Sequence, residues 1–296
     1  MNTTCDVSII IVNYNTRDLT FDCLRSIYEQ TKDISFEVIV SDNGSTDGSI
    51  EMIAKEFPQA ILIENNANIG FGSANNKGLY IAKGKYIFYL NSDTVLLNNA
   101  VKMFFDYWEN SEDREQLGAL GGVLLDHQHN TIHSGGIFPS YISICINQMK
   151  VMCFHLVKSL VSVFHLTHLY QKIQRNISLH EDVAIGDIDY VTGADLFMKN
   201  NDFARFDETF FLYYEETDLQ YNIAKKGLSR RIISGPRIVH FTRKLDRFNI
   251  SSFSTICSQN SAVYYVKKNL GGKALLLSFL IFIDRLNPFV KKHIKR

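Results

Sequence analysis

Apolar and polar positions follow two different periods in the first third of the chain. Short runs rich in β-branched and aromatic residues at 7–12, 36–41, 60–64 and 86–90 each predict a buried strand. Between them, 19–28, 49–56 and 73–82 carry helical spacing; Leu19, Cys23, Leu24 and Ile27, for example, share one face. Strands that are apolar throughout, alternating with helices, predict a Rossmann-like α/β fold whose mainly parallel sheet is covered on both faces. Polar clusters close three of these strands: Asn13-Tyr14-Asn15, Asp42-Asn43-Gly44-Ser45 and Asn91-Ser92-Asp93. Open sheets of this kind bind ligands beyond the carboxyl ends of their strands, which makes these clusters the first candidates for a site.

Further along, the glycines between 118 and 139 accompany short β-like runs that would finish the sheet. Residues 141–177 then change character, being strongly apolar and free of acidic residues. They predict a helical hairpin packed on the core, with a membrane-facing or acceptor-lipid surface as the alternative. A strand and turn at 190–199, a loop leading into a helix at 206–227, a strand around Gly235-Pro236 at 229–241 and a helix at 252–269 complete the pattern. The expected organisation is one α/β domain over 1–245, interrupted by an apolar helical insertion at 141–180. A C-terminal helical segment follows at 246–296.

Composition alters this picture in one respect. The 31 basic and 31 acidic side chains cancel, which disfavours a dedicated nucleic-acid binder. The cancellation is uneven, because residues 1–222 hold 15 Lys+Arg against 29 Asp+Glu and residues 223–296 hold 16 against 2. A basic end that contains the apolar run 274–283 has the make-up of an interfacial segment, so peripheral attachment to a membrane surface is expected; a solvated basic helix or an oligomer contact is the alternative. That run is ten residues long, against about 20 for a bilayer span, and no transmembrane helix is expected. Five scattered cysteines without a CxxC pair indicate neither a disulfide framework nor a zinc cluster and fit a reducing cytoplasm. Asp6 ahead of a short apolar run argues against a signal peptide.

The first strand does not lead into GxGxxG, and no GxxxxGK[ST] phosphate loop is present. Instead SIIIVNYN, DNGSTDGS from Asp42, NIGFGSANNKG from Asn68 and LNSDTVL from Leu90 occur in that order. VTGADLFMK from Val191, FDETFFLYYEETDLQYNIAKKG from Phe206 and RIVHF around His240 follow. In order and spacing this set resembles the inverting family 2 glycosyltransferases of the GT-A fold, and most of all a bacterial branch that includes rhamnosyltransferases of surface-polysaccharide assembly. The resemblance implies transfer of a sugar, with rhamnose the first expectation and galactose or glucose the alternatives. The donor would be a dTDP- or UDP-sugar, the acceptor a glycan or lipid-linked glycan, and the place the cytoplasmic face of the inner membrane. A non-catalytic nucleotide- or glycan-binding relative is the remaining alternative.

Roles follow residue by residue. A nucleotide base needs directional donors and acceptors, which Asp42 and the Asn15 amide can supply; a plain Asx turn is the alternative for Asp42. Asn13, Tyr14, Asn43, Ser45, Asn68, Gly70, Asn75, Asn91 and Ser92 are expected to shape the same nucleotide pocket. The family's acidic triplet reads Asn91-Ser92-Asp93 here, so Asp93 is the expected ligand of a divalent cation, Mg2+ or Mn2+, with His240 the second. An acceptor hydroxyl needs a general base. The resemblance assigns that role to Glu216, where aspartate is usual, with Asp218 as fallback. Asp195 stands where a small residue is common and could reach sugar hydroxyls.

Overall fold

The computed structural model describes residues 5–163, 185–241 and 252–287. The expected alternation is present as β1 (Val7–Asn13), α1 (Arg17–Gln30), β2 (Phe36–Asp42), α2 (Ser49–Glu56), β3 (Ile61–Glu64), α3 (Phe71–Ile81) and β4 (Tyr86–Asn91). Next come β5 (Thr94–Leu96), α4 (Ala100–Asn110), β6 (Leu117–Leu125), β7 (Gly135–Gly136), α5 (Tyr141–Val163), β8 (Gly186–Ile188), β9 (Tyr190–Val191) and β10 (Asp195–Lys199). The remaining elements are α6 (Glu215–Ala224), β11 (Ser229–His240), α7 (Ser252–Asn269) and α8 (Leu275–Leu286). The expected second half of the apolar hairpin, 164–177, and the basic residues Lys291, Lys292, Lys295 and Arg296 lie outside the described residues.

The main sheet has the order β3-β2-β1-β4-β10-β6-β11-β5, with β8 added on β11. β1 pairs in parallel with β2 and β4, β2 with β3, and β6 with β11, whereas β10 is antiparallel to β4 and β6. Period-2 alternation explains how one sheet builds two cores. Val7, Ile9 and Ile11 face one side together with Phe88, Phe104 and Trp108; Ile10, Ile39, Ile87 and Tyr89 face the other with Leu219 and Ile223. Both faces of the central strands are therefore dry, as their continuous apolar runs require. Besides the short β8, two elements have no counterpart in the sequence reading. They are β5, three residues paired with β11, and α4, whose Ala100, Val101, Phe104 and Trp108 are buried.

The described residues form two compact units. One carries the sheet and comprises 5–138, 185–211 and 215–241; the other is helical and comprises 139–163, 212–214 and 252–287. The apolar insertion and the C-terminal segment, far apart in sequence, thus contribute to one unit. Its helices α5, α7 and α8 share a buried polar cluster: Asp284 accepts hydrogen bonds from His155 Nδ1 (2.8 Å), Gln259 Nε2 (2.9 Å) and Gln148 Nε2 (3.3 Å). Among the described residues no helix is long and apolar enough to cross a membrane.

Candidate active site

The strand ends meet in a hydrogen-bonded hub. Asn13 Nδ2 donates to Asp42 Oδ2 (2.6 Å) and to Ser45 Oγ (3.0 Å), while Asn13 Oδ1 accepts from the hydroxyls of Thr16 and Thr20, both at 2.7 Å. The other Asp42 oxygen accepts the backbone N–H groups of Gly44 and Ser45 at 3.0 and 2.8 Å. Asn13 and Asp42 are fully buried, so these internal bonds take the place of water. Asn15, exposed and at φ 53°, is fixed by accepting from Thr46 N (2.8 Å), and Tyr14 is 47% exposed. These two offer the hub's open surface.

Asn43 links this hub to the next motif. Its Nδ2 donates to Gly70 O (3.2 Å) and Asn68 Oδ1 (3.3 Å), and its Oδ1 accepts from Asn65 (3.0 Å). Gly70 sits at φ 91°, and a Cβ there would lie 2.6 Å from Phe211 O, so only glycine permits this approach. Asn75 is buried and caps back onto Phe71 O (3.1 Å). Lys77 is exposed on α3.

At the end of β4, Ser92 Oγ lies 3.0 Å from Thr16 Oγ1, which joins the third strand end to the hub. Antiparallel pairing of β5 with β11 sets His240 opposite Thr94. The consequence is local. His240 Nε2 lies 3.2 Å from Asp93 Oδ1 and 3.5 Å from Asn91 Nδ2, with both side chains of the closer pair partly open to solvent. One carboxylate oxygen and one imidazole nitrogen at that separation are donors of the kind that Mg2+ or Mn2+ accepts, and they leave most of a coordination shell to water or phosphate. Among the described residues no group of three or more His, Cys, Asp or Glu side chains could hold a metal ion.

The acidic stretch opens α6. Gln220 locks this helix to β9 by donating to Val191 O (2.7 Å) and accepting from Val191 N (2.9 Å). The following turn bridges the two parts of the site. Ala194 O accepts from Asn91 N (3.0 Å), and a Cβ on Gly193 would stand 3.4 Å from Cβ and Cγ of Glu216. Glu216 is partly buried, its Oε1 accepting a long bond from Thr217 Oγ1 (3.4 Å), and burial holds its carboxyl above the usual glutamate range. Glu215 is 3% exposed, its Oε2 has no hydrogen-bond partner, and burial plus the Glu216 charge hold it well above that range. Asp218, 1% exposed, accepts from Asn222 (3.4 Å). Immediately before α6, Tyr213 and Tyr214 both take left-handed backbone conformations, φ 70° and 69°, which cost a non-glycine residue about 1–3 kcal/mol each.

Asp195 departs from expectation. It is fully buried in β10, accepts from Gly122 N (2.7 Å), and cannot present itself to sugar hydroxyls. Its other oxygen has no hydrogen-bond partner, and desolvation raises its carboxyl well above the usual aspartate range. Thr16, Thr20 and Asn65, which hold Asn13 and Asn43 in place, were not anticipated. The spacing of Thr16 and Thr20, one helical turn apart beside a strand end, is the signal that could have found them.

Residues 8–119 match the family model described as glycosyl transferase family 2. The chain is 32% identical over 122 residues to the poly(ribitol-phosphate) beta-glucosyltransferase of Bacillus spizizenii, covering 40% of this chain and 19% of that protein. It is 38% identical over 112 residues to the UDP-Glc:alpha-D-GlcNAc-diphosphoundecaprenol beta-1,3-glucosyltransferase WfaP of Escherichia coli, covering 34% and 44%. It therefore spans less than half the length of either relative. The mannosyltransferase of Pyrobaculum calidifontis, solved in complex with GDP-Man and Mn2+, matches over 99% of this chain and 75% of that one, with a TM-score of 0.54 at 17% identity. The fold is of the GT-A type, and residues 8–119 are similar to glycosyl transferase family 2.

Proposed function

We propose that the chain is an inverting glycosyltransferase that moves a sugar from a nucleoside-diphosphate donor to a hydroxyl of a glycan. The observation that carries this reading is the Gly193-Ala194 turn, which touches Asn91 on one side and Glu216 on the other. The candidate base thus lies on one side of this turn and on the other lies Asn91, whose amide is 3.5 Å from His240 Nε2. The open face of Asn15 and Tyr14 receives the nucleoside, and Asp42, expected to contact the base itself, is buried behind it and braces that wall through Asn13 and the 44–45 backbone. Asp93 and His240 would hold a divalent cation, which when bound neutralises charge on the diphosphate.

Glu216 takes the proton of the acceptor hydroxyl as that oxygen attacks the anomeric carbon. The bond from that carbon to the diphosphate oxygen breaks, and the nucleoside diphosphate leaves with the bonding pair. A single displacement from one face inverts the configuration, and no second carboxylate is needed as nucleophile. The raised carboxyl of Glu216 suits a base, because proton transfer works best when its pKa lies near the working pH.

Rhamnose is the sugar that the sequence resemblance implies, and the names of the two relatives favour glucose as a second reading. The acceptor is proposed to be lipid-linked, in surface-polysaccharide assembly, with the protein peripheral to the cytoplasmic face of the membrane. Incubation with UDP-, GDP- and dTDP-sugars, with and without Mn2+, and detection of released nucleoside diphosphate tests the activity. If no donor is turned over and neither UDP nor dTDP binds in a Mn2+-dependent way, the chain is a non-catalytic binding relative.

A further inference from the structure

The helix α8 is apolar on both of its faces. Leu277, Leu280 and Ile281 are buried, whereas Leu275, Leu276, Phe279, Phe282, Ile283 and Leu286 are 38–71% exposed along the opposite side. Their spacing makes one continuous stripe. Helices that are apolar all round belong in a core or in lipid, and half of this one is bare.

Rotation of α8 cannot bury the stripe within its own unit. Asp284 is held on the inner face by His155, Gln148 and Gln259, and the adjacent Arg285 donates to Gln259 Oε1 (3.0 Å) and Asn260 Oδ1 (2.8 Å). Turning the helix would strip a buried carboxylate of all three partners. The polar cluster therefore fixes which face looks outward. On α5, Ile142, Ile146 and Met149 form a second exposed apolar row at i, i+4, i+7 spacing.

Charge selects the occupant. Lys267, at the end of α7, and Lys273, just ahead of α8, are exposed, and the one acid between residues 252 and 296 is the buried Asp284. A symmetric contact with a second copy of the chain would bring the same lysines against these without a carboxylate to meet them. Anionic phospholipid supplies the missing charge and an apolar layer together. With 12 residues, α8 is about 18 Å long, too short to span a bilayer but long enough to lie along one.

We propose that the outward face of α8 is an interfacial anchor for an anionic bilayer, its stripe at the acyl boundary and its lysines among the headgroup phosphates. The anchor does not depend on the transferase reading. Flotation of the full-length protein with phosphatidylcholine vesicles, with and without phosphatidylglycerol, tests it. Binding is expected on the anionic vesicles, weakened by salt. It should fall about tenfold or more in Phe279→Ser/Phe282→Ser, because each ring loses its burial in lipid. Both side chains are exposed, so thermal unfolding and nucleotide release from a soluble donor should not change in this variant. Wild-type flotation by the double variant would overturn the proposal. So would a wild type that ignores vesicles and sediments as a dimer that the variant dissociates, which would make the stripe a contact between copies.

Discussion

The two halves of the candidate site satisfy their polar groups in opposite ways. At the strand ends, Asn13 and Asp42 have every side-chain oxygen and the shared amide engaged in short internal bonds. At the start of α6, Glu215 keeps an unpartnered buried oxygen, and the Glu216 carboxyl, held by a long bond from Thr217 Oγ1, is pushed up by burial. The first arrangement builds a rigid wall before any ligand arrives. The second keeps carboxyls costly to ionise, which is what the proposed role of Glu216 as a base requires.

The contrast can be broken most severely at Glu216. Glu216→Gln should lower transfer by about 10²–10⁴-fold, the usual contribution of a general base, while calorimetry shows unchanged binding of the donor nucleotide. In the wild type the acid limb of kcat/KM should lie above the range of an ordinary glutamate, with activity rising as pH rises through the elevated pKa of Glu216. If the limb stays in place and Asp218→Asn causes the larger loss, Asp218 is the base.

Asn13→Ala attacks the rigid half. It removes a donor from buried Asp42 and the common acceptor of Thr16 and Thr20, and should cost about 2–3 kcal/mol in urea unfolding along with donor affinity. His240→Gln is expected to be milder, raising the Mn2+ concentration for half-maximal turnover by about tenfold, and chelation should abolish activity in both proteins. The smallest effect is expected at Asp195. Its carboxyl titrates higher in the folded than in the unfolded state, so the native protein keeps a proton that the unfolded chain has lost. That contribution is full below the unfolded aspartate pKa and declines as pH rises. Asp195→Asn should therefore gain thermal stability on the wild type as pH rises above the ordinary aspartate range.

The central sheet was legible because Val7, Ile9 and Ile11 on one side and Ile10 on the other leave no polar position between them. β5 was not, since three residues carry no period and Thr94–Leu96 becomes a strand only by pairing with β11 far along the chain. The same pairing brings His240 to Asp93, a proximity that no local pattern encodes. α4 did carry a readable face in Val101, Phe104 and Trp108, which passed unremarked. Glu215 was hidden for a different reason. Acidic residues in a first helical turn ordinarily mean solvent and dipole, and only the packing around this one reverses that inference.

Leu212 to Tyr214 belong to the helical unit, and Glu215 begins the next residue in the other. Ser261 on α7 donates to Leu212 O (2.9 Å), and Tyr214 packs on Tyr265 with ring centroids 5.3 Å apart. Leu212 and Tyr214 are therefore both held by α7, on either side of Tyr213, so the left-handed backbone of the two tyrosines is braced within the helical unit itself.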